Sequence, residues 1–309
     1  MNQFVRATLI GFIGTCVAGA AGLACSSATS SASDVGRDAS AGGDGPSSNA
    51  EGGSGGEGGA GDGSTATGTG QGAVLVTQSP TGFHVVASFN PASAATTAGC
   101  LVTTVGPCIA TACPDVMGVA MASLNAGAIT VTGTGPGSPV TLSFGTKGDG
   151  GLAGYPAASG QTAFYNAGDP VSASGAGGAD LPAFNATLVA PNEIAVTSPA
   201  CAAGACADVD RSMDATITWS GGGAGRVTVA YVTGTDVGTK LLSCSFDALV
   251  GSGTVPSAAL MKLDPPGAPN FFGQVLVNPI DSKTIMVGTL PTLFGVQGGT
   301  FGGTFTITN

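Results

Sequence analysis

Arg226-Val227-Thr228-Val229-Ala230-Tyr231-Val232-Thr233 and, a few residues on, Lys240-Leu241-Leu242-Ser243-Cys244-Ser245-Phe246 carry the period that decides the fold class. Successive side chains of an extended chain point to opposite sides, so Val227, Val229 and Tyr231 share one face of the first run. Leu242, Cys244 and Phe246 share one face of the second, and Ile217 and Trp219 make a similar pair in Ala215 to Trp219. These faces are expected to meet as the core of a C-terminal sandwich.

Runs of the same kind recur on both sides, bounded by Gly, Pro, Asn or Asp. Towards the N-terminus they are Val74 to Thr77, Phe83 to Phe89, Ile129 to Gly133, Val140 to Phe144, Phe184 to Val189 and Ile194 to Thr197. Towards the C-terminus they are Phe271 to Val277, Lys283 to Val287 and Thr304 to Thr308. Short strands at regular intervals indicate an all-β fold of one or two antiparallel sandwiches. Composition agrees: 54 glycines and only 8% charged residues suit strands and tight turns better than long helices. One helical signal interrupts, Val255 to Leu263, where Pro256 precedes good helix formers. Ala190-Pro191-Asn192 suggests a boundary, dividing an N-terminal β region, 73–190, from a C-terminal sandwich, 191–309. The alternative is one large sandwich with strands exchanged between the halves.

Ahead of the β body stand two segments of another character. Arg6 precedes a run from Ala7 to Ala24 that holds no charge and includes Leu9, Ile10, Phe12, Ile13 and Val17, which is a signal-peptide pattern over 1–24. Cys16 within it reads as a small hydrophobic residue. The run closes on Gly22-Leu23-Ala24-Cys25, which resembles the lipobox of bacterial lipoproteins, with Gly22 where Leu is usual. That resemblance implies lipidation of Cys25 and a membrane partner reached through the lipid; cleavage after Ala18-Gly19-Ala20 and plain secretion is the alternative. Ser26 in place of Asp favours the outer membrane or cell surface on the same resemblance. The following stretch, 25–72, is almost wholly Ser, Gly, Ala, Thr and acids, and cannot bury enough apolar surface to offset ordering. It is expected to be a disordered linker with an end-to-end distance of roughly 40 Å.

Of eight cysteines, Cys16 and Cys25 are accounted for, which leaves Cys100, Cys108, Cys113, Cys201, Cys206 and Cys244. In an exported chain these are disulfide candidates, and six permit fifteen connectivities. Close spacing makes Cys108 with Cys113 and Cys201 with Cys206 the simplest local pairs, leaving Cys100 with Cys244 to tie the halves together. A zinc site is the competing use of such thiolates, but no C-x₂-C spacing occurs. The order Cys206, Trp219, Cys244 resembles the immunoglobulin Cys, Trp, Cys signature, with Leu242 in the place of the corner tyrosine. It implies an immunoglobulin-like sandwich among the β folds.

Several kinds of chemistry are disfavoured. A net charge of -10 without basic clusters argues against nucleic-acid partners, and 6% aromatic residues offer few of the stacking platforms that single-stranded nucleic acid or sugar rings would use, which disfavours both ligand classes. His84 is the lone histidine, in the strand-like Phe83-His84-Val85-Val86-Ala87, with no nucleophile in a recognisable context. Gly52-Gly53-Ser54-Gly55-Gly56 matches a nucleophile elbow but lacks the strand and helix such an elbow needs. Gly148-Asp149-Gly150-Gly151-Leu152-Ala153 fits a loose nucleotide fingerprint, but no βαβ unit surrounds it. Asp208, Asp210 and Asp214 gather oxygen ligands as calcium loops do, though Met213 and Trp219 stand where that loop needs Gly and Glu. No catalytic residue and no cofactor is assigned.

With its lipobox, Gly/Ser linker and disulfide-bearing β body, the chain resembles the Gly-rich secreted lipoproteins of myxobacteria. The expectation is a non-enzymatic cell-envelope surface protein with a structural, adhesive or assembly role. A small-ligand or calcium-binding module is the second reading, and a hydrolase the third.

Overall fold

The computed structural model describes residues 70–91, 101–114, 123–146, 153–202, 204–235, 238–267, 272–299 and 301–308. The expectations for the signal segment, Cys25, the linker up to residue 69, Cys100, Gly52 to Gly56 and residues 148–152 lie outside them.

Strand is the dominant secondary structure of the described residues, and in Phe83 to Phe89 the alternation read from the sequence is visible as burial. In the hairpin of β1 (Gln71–Ser79) and β2 (Gly82–Asn90), Phe83, Val85, Ala87 and Phe89 are buried while His84, Val86 and Ser88 are less so. A second hairpin joins β3 (Leu101–Val105) to β4 (Cys108–Pro114). Short strands follow: β5 (Ile129–Thr132), β6 (Val140–Leu142), β7 (Gly145–Thr146), β8 (Ala153–Gly154), β9 (Ala158–Gly160), β10 (Pro170–Gly175) and β11 (Phe184–Val189). Beyond Pro191 come β12 (Ile194–Ser198), β13 (Cys201–Ala202), β14 (Ala205–Cys206), β15 (Val209–Asp210), β16 (Ala215–Gly221), β17 (Arg226–Thr235), β18 (Gly238–Asp247) and β19 (Ser252–Val255). The chain closes with β20 (Phe272–Val287), β21 (Leu290–Gln297), β22 (Phe301–Thr304) and β23 (Ile307–Thr308). The helix expected over Val255 to Leu263 is a single turn, Ser257–Leu260, that buries Ala259 and Leu260.

One twelve-stranded sheet runs β3-β4-β18-β17-β20-β21-β1-β2-β9, with β22, β14 and β13 joined beside β20. Its spine is β20, whose 16 residues extend about 50 Å at ~3.3 Å each. Residues from Phe272 to Ile280 pair with β17, and those from Ile280 to Val287 pair with β21. On the edge shared with β21, Gln274 to Val277 pair with β22, leaving a break at residues 298–300. Pro279 sits opposite that break. Its carbonyl accepts from the Gly298 amide at 2.9 Å, and on that same side a proline has no N–H to give a continuing ladder.

Two apolar cores rest on this sheet. Val275 and Val277 of β20 enter one, and Ile285 and Val287 the other. All four are odd-numbered, so both cores lie on the same face of the sheet. The first is closed by the sheet β11-β10-β5-β6, the second by β12-β16-β19 with the pair β15-β23. The expected division at residue 190 describes neither. Val287, Leu290, Phe294 and Val296 belong to the first core, and Cys108 and Ala110 to the second. Strands are exchanged because the β20 hairpin is too long for one sandwich, and because β1 pairs in parallel with β21, Val74 opposite Phe294.

Cys201 is bonded to Cys206, as their spacing suggested, across β13 and β14. Cys108 is bonded to Cys244, 136 residues away, directly across β4 and β18. This overturns both the Cys108–Cys113 pair and the Cys100–Cys244 link. Cys108 and Cys113 occupy one extended strand, where five residues span about 16 Å, far beyond disulfide reach. The immunoglobulin signature goes too: Cys206 and Cys244 have other partners, and both bonds lie within one sheet instead of between two.

Candidate functional site

At the β9 margin, register alone assembles a polar cluster. Thr77 of β1 stands opposite His84 of β2, which stands opposite Ser159 of β9, so the three side chains form a row across the sheet face away from the first core. His84 Nδ1 and Ser159 Oγ are hydrogen-bonded at 2.9 Å. The β1–β2 turn adds Ser79 and Thr81, whose hydroxyls lie 3.0 Å apart, and Ser79 Oγ donates to the Gly82 carbonyl at 3.2 Å. With Gln161, these residues line a concavity of about 330 Å³.

Two local features hold it in place. Gly82 has φ +146°, and a Cβ there would run into the Gly160 carbonyl, so only glycine lets β9 lie against the turn. Gln78, facing the other way, acts as a surrogate strand for the loop after β9. Its Oε1 accepts from the Phe164 and Tyr165 amides at 2.7 and 3.0 Å, and its Nε2 donates to the Tyr165 carbonyl at 3.1 Å.

His84 is thus placed beside a hydroxyl, which sequence reasoning did not foresee. Ser159 lies in Ala157-Ala158-Ser159-Gly160, small residues without strand period, and only the register of β9 on β2 brings it to the histidine. Among the described residues no carboxylate lines the concavity. A serine nucleophile would need a group orienting the imidazole and donors for an oxyanion. What the row does offer is hydrogen-bonding groups facing water.

The acidic turn between β15 and β16 is organised otherwise. Asp208 accepts from Thr306 Oγ1, Asp210 accepts from the Ser212 amide and hydroxyl at 2.9 and 2.7 Å, and Asp214 accepts from the Ser257 amide at 2.7 Å. Arg211 Nη1 donates to the Leu263 carbonyl at 2.9 Å. The carboxylates therefore clamp the turn to β23 and to the start of the helical turn. Trp219, at the position that needs a bidentate acid, is buried with its Nε1–H donating to the Ala248 carbonyl at 2.9 Å. Among the described residues no group of three or more His, Cys, Asp or Glu side chains could hold a metal ion.

A half-buried ionic contact closes one end of the second core. Asp264, 7% exposed, accepts from Thr233 Oγ1 at 2.8 Å and pairs with Lys240 Nζ at 2.8 Å, tying the loop after the helical turn to β17 and β18. Both oxygens of the buried carboxylate are matched, and the Lys240 side chain keeps about a third of its surface in water.

Neither the known family models nor the curated proteins include a match to this chain.

Proposed function

We propose that the chain is a non-enzymatic protein of the cell envelope, exported, held by lipid on Cys25, and serving assembly or adhesion through its sheet. The observation that carries this reading is β3, which among the described residues has no strand on its outer side. Leu101 and Val102 are 75% and 46% exposed, Thr103 and Thr104 are exposed as well, and the strand bears no charge, proline or bulge. Sheet edges normally carry such features to prevent pairing, and an open, uncharged edge is a template for an added strand. The neighbouring Cys108–Cys244 bond fixes the hairpin to the core, so the edge is presented on a rigid mount.

The test is made in cells. Val102→Lys in the full chain should release it from its envelope assembly to a monomer in sedimentation, with an unchanged thermal midpoint. Cys25→Ser should separately abolish acyl labelling and membrane retention. Unaltered assembly in Val102→Lys would count against the role, and normal maturation of Cys25→Ser against the anchor.

A further inference from the structure

We infer that the concavity at Thr77, His84 and Ser159 is a binding site for a neutral polyhydroxylated ligand, a saccharide. The inference stands on β1, β2 and β9, and does not depend on the edge strand at the opposite margin of the sheet.

The lining decides the ligand class. Thr77 and Ser159 each bring a hydroxyl and Gln161 an amide, groups that both donate and accept, while Ser79, whose proton goes to the Gly82 carbonyl, and Thr81, which then donates to Ser79, are left as acceptors. His84 uses Nδ1 on Ser159, and its Nε2 has no protein partner among the described residues. Whichever tautomer is present, one ring nitrogen is left to accept from or donate to a ligand. A cluster of groups with both capacities matches adjacent ligand hydroxyls, which also have both. Among the described residues no Lys, Arg, Asp or Glu lines the site, so these offer no carboxylate, ammonium or guanidinium to an ion. A formal charge of -10 on the whole chain repels anions at longer range. Phe83 is only 8% exposed, so it supplies no stacking platform. Recognition must come from hydrogen bonds exchanged against water, which sets affinity near the millimolar range.

Because the chain has one histidine, its imidazole C–H resonances are a reporter unique to this site. The full chain is titrated separately with glucose, galactose, N-acetylglucosamine and inorganic phosphate. At least one of the sugars should shift the His84 signal saturably at about millimolar concentration, and phosphate at constant pH should not. Ser159→Ala and Thr77→Val keep the reporter and should each weaken the sugar about fivefold or more, with thermal midpoints confirming an intact fold. A phosphate response without a sugar response would make the site an anion site and overturn the inference. So would the absence of any sugar shift, or a sugar shift undiminished in both variants.

Discussion

All three tyrosines of the chain have hydroxyls held neutral above their ordinary range. Burial pushes Tyr231 up to about 12. Burial, with the charge of Glu193 adding to it, raises Tyr165, whose hydroxyl donates to the Gln297 carbonyl at 2.7 Å. Tyr155 is raised by burial and by Asp180, against the lowering effect of its bond with the Ala126 amide. An unfolded tyrosine loses its proton near pH 10. Above that pH the unfolded chain has released protons that the fold retains, so stability is full below about pH 10 and falls as pH rises towards about 12. Tyrosinate absorbance should therefore appear together with the loss of far-ultraviolet dichroism; titration near pH 10 in a folded chain would contradict the assignment. Trp219 makes a second residue-level case. Trp219→Phe removes the donor to the Ala248 carbonyl and should cost about 1–3 kcal/mol in urea unfolding followed by dichroism. Of the candidate site, His84 was legible because a lone histidine in a strand-like run stands out. Ser159 was not, since nothing in small residues says which strand they will lie against.

At the scale of elements, the cross-strand disulfides differ in what they restrain. Cys108–Cys244 closes 136 residues and Cys201–Cys206 closes five, for which chain entropy gives about 5 and about 2 kcal/mol. Cys108→Ser with Cys244→Ser should lower the thermal midpoint clearly more than Cys201→Ser with Cys206→Ser; the reverse order would mean that restraint of the unfolded chain is not what the bonds contribute. By elimination Cys100 and Cys113 are the remaining candidates for a bond. Leu101 lies opposite Ala112, and the residues next beyond them in sequence are Cys100 and Cys113. Peptide mapping without reduction should recover Cys100 joined to Cys113. The core faces of β17 and β18 followed from the larger side chains on one side, although their other faces are largely buried too, and β2, with strict alternation, could be read directly. β21 could not: Leu290 to Gln297 is buried on both faces and contains Pro291, so no period of two survives. β4 and β10 are built largely from Thr, Ala, Ser and Cys, whose burial is decided by neighbours and not by their own polarity. The Cys108–Cys113 expectation failed because proximity in sequence says little once both residues are in one strand, whereas Cys201–Cys206 held.

At the scale of the molecule, the β20 hairpin makes the two cores one construction. Residues 73–190 expressed alone lack Val287, Leu290, Phe294 and Val296 of the first core, and residues 191–309 alone lack the β4 strand that carries Cys108. Neither piece should fold, whereas 70–309 should unfold in a single transition seen alike by tryptophan fluorescence and dichroism; an independently folded half would refute the shared spine. The placement of β1 has a further consequence. Gln71 opens a strand bonded along its full length to β2 and from Gly72 to Thr77 to β21. A force arriving through the chain ahead of Gln71 therefore acts along the strand axis, across ladders whose bonds stand roughly crosswise to it. Those bonds are loaded in shear and share the strain, where a strand peeled from a margin would surrender them one at a time. A pull from the N-terminal side is therefore borne by a whole strand at once, against two neighbours.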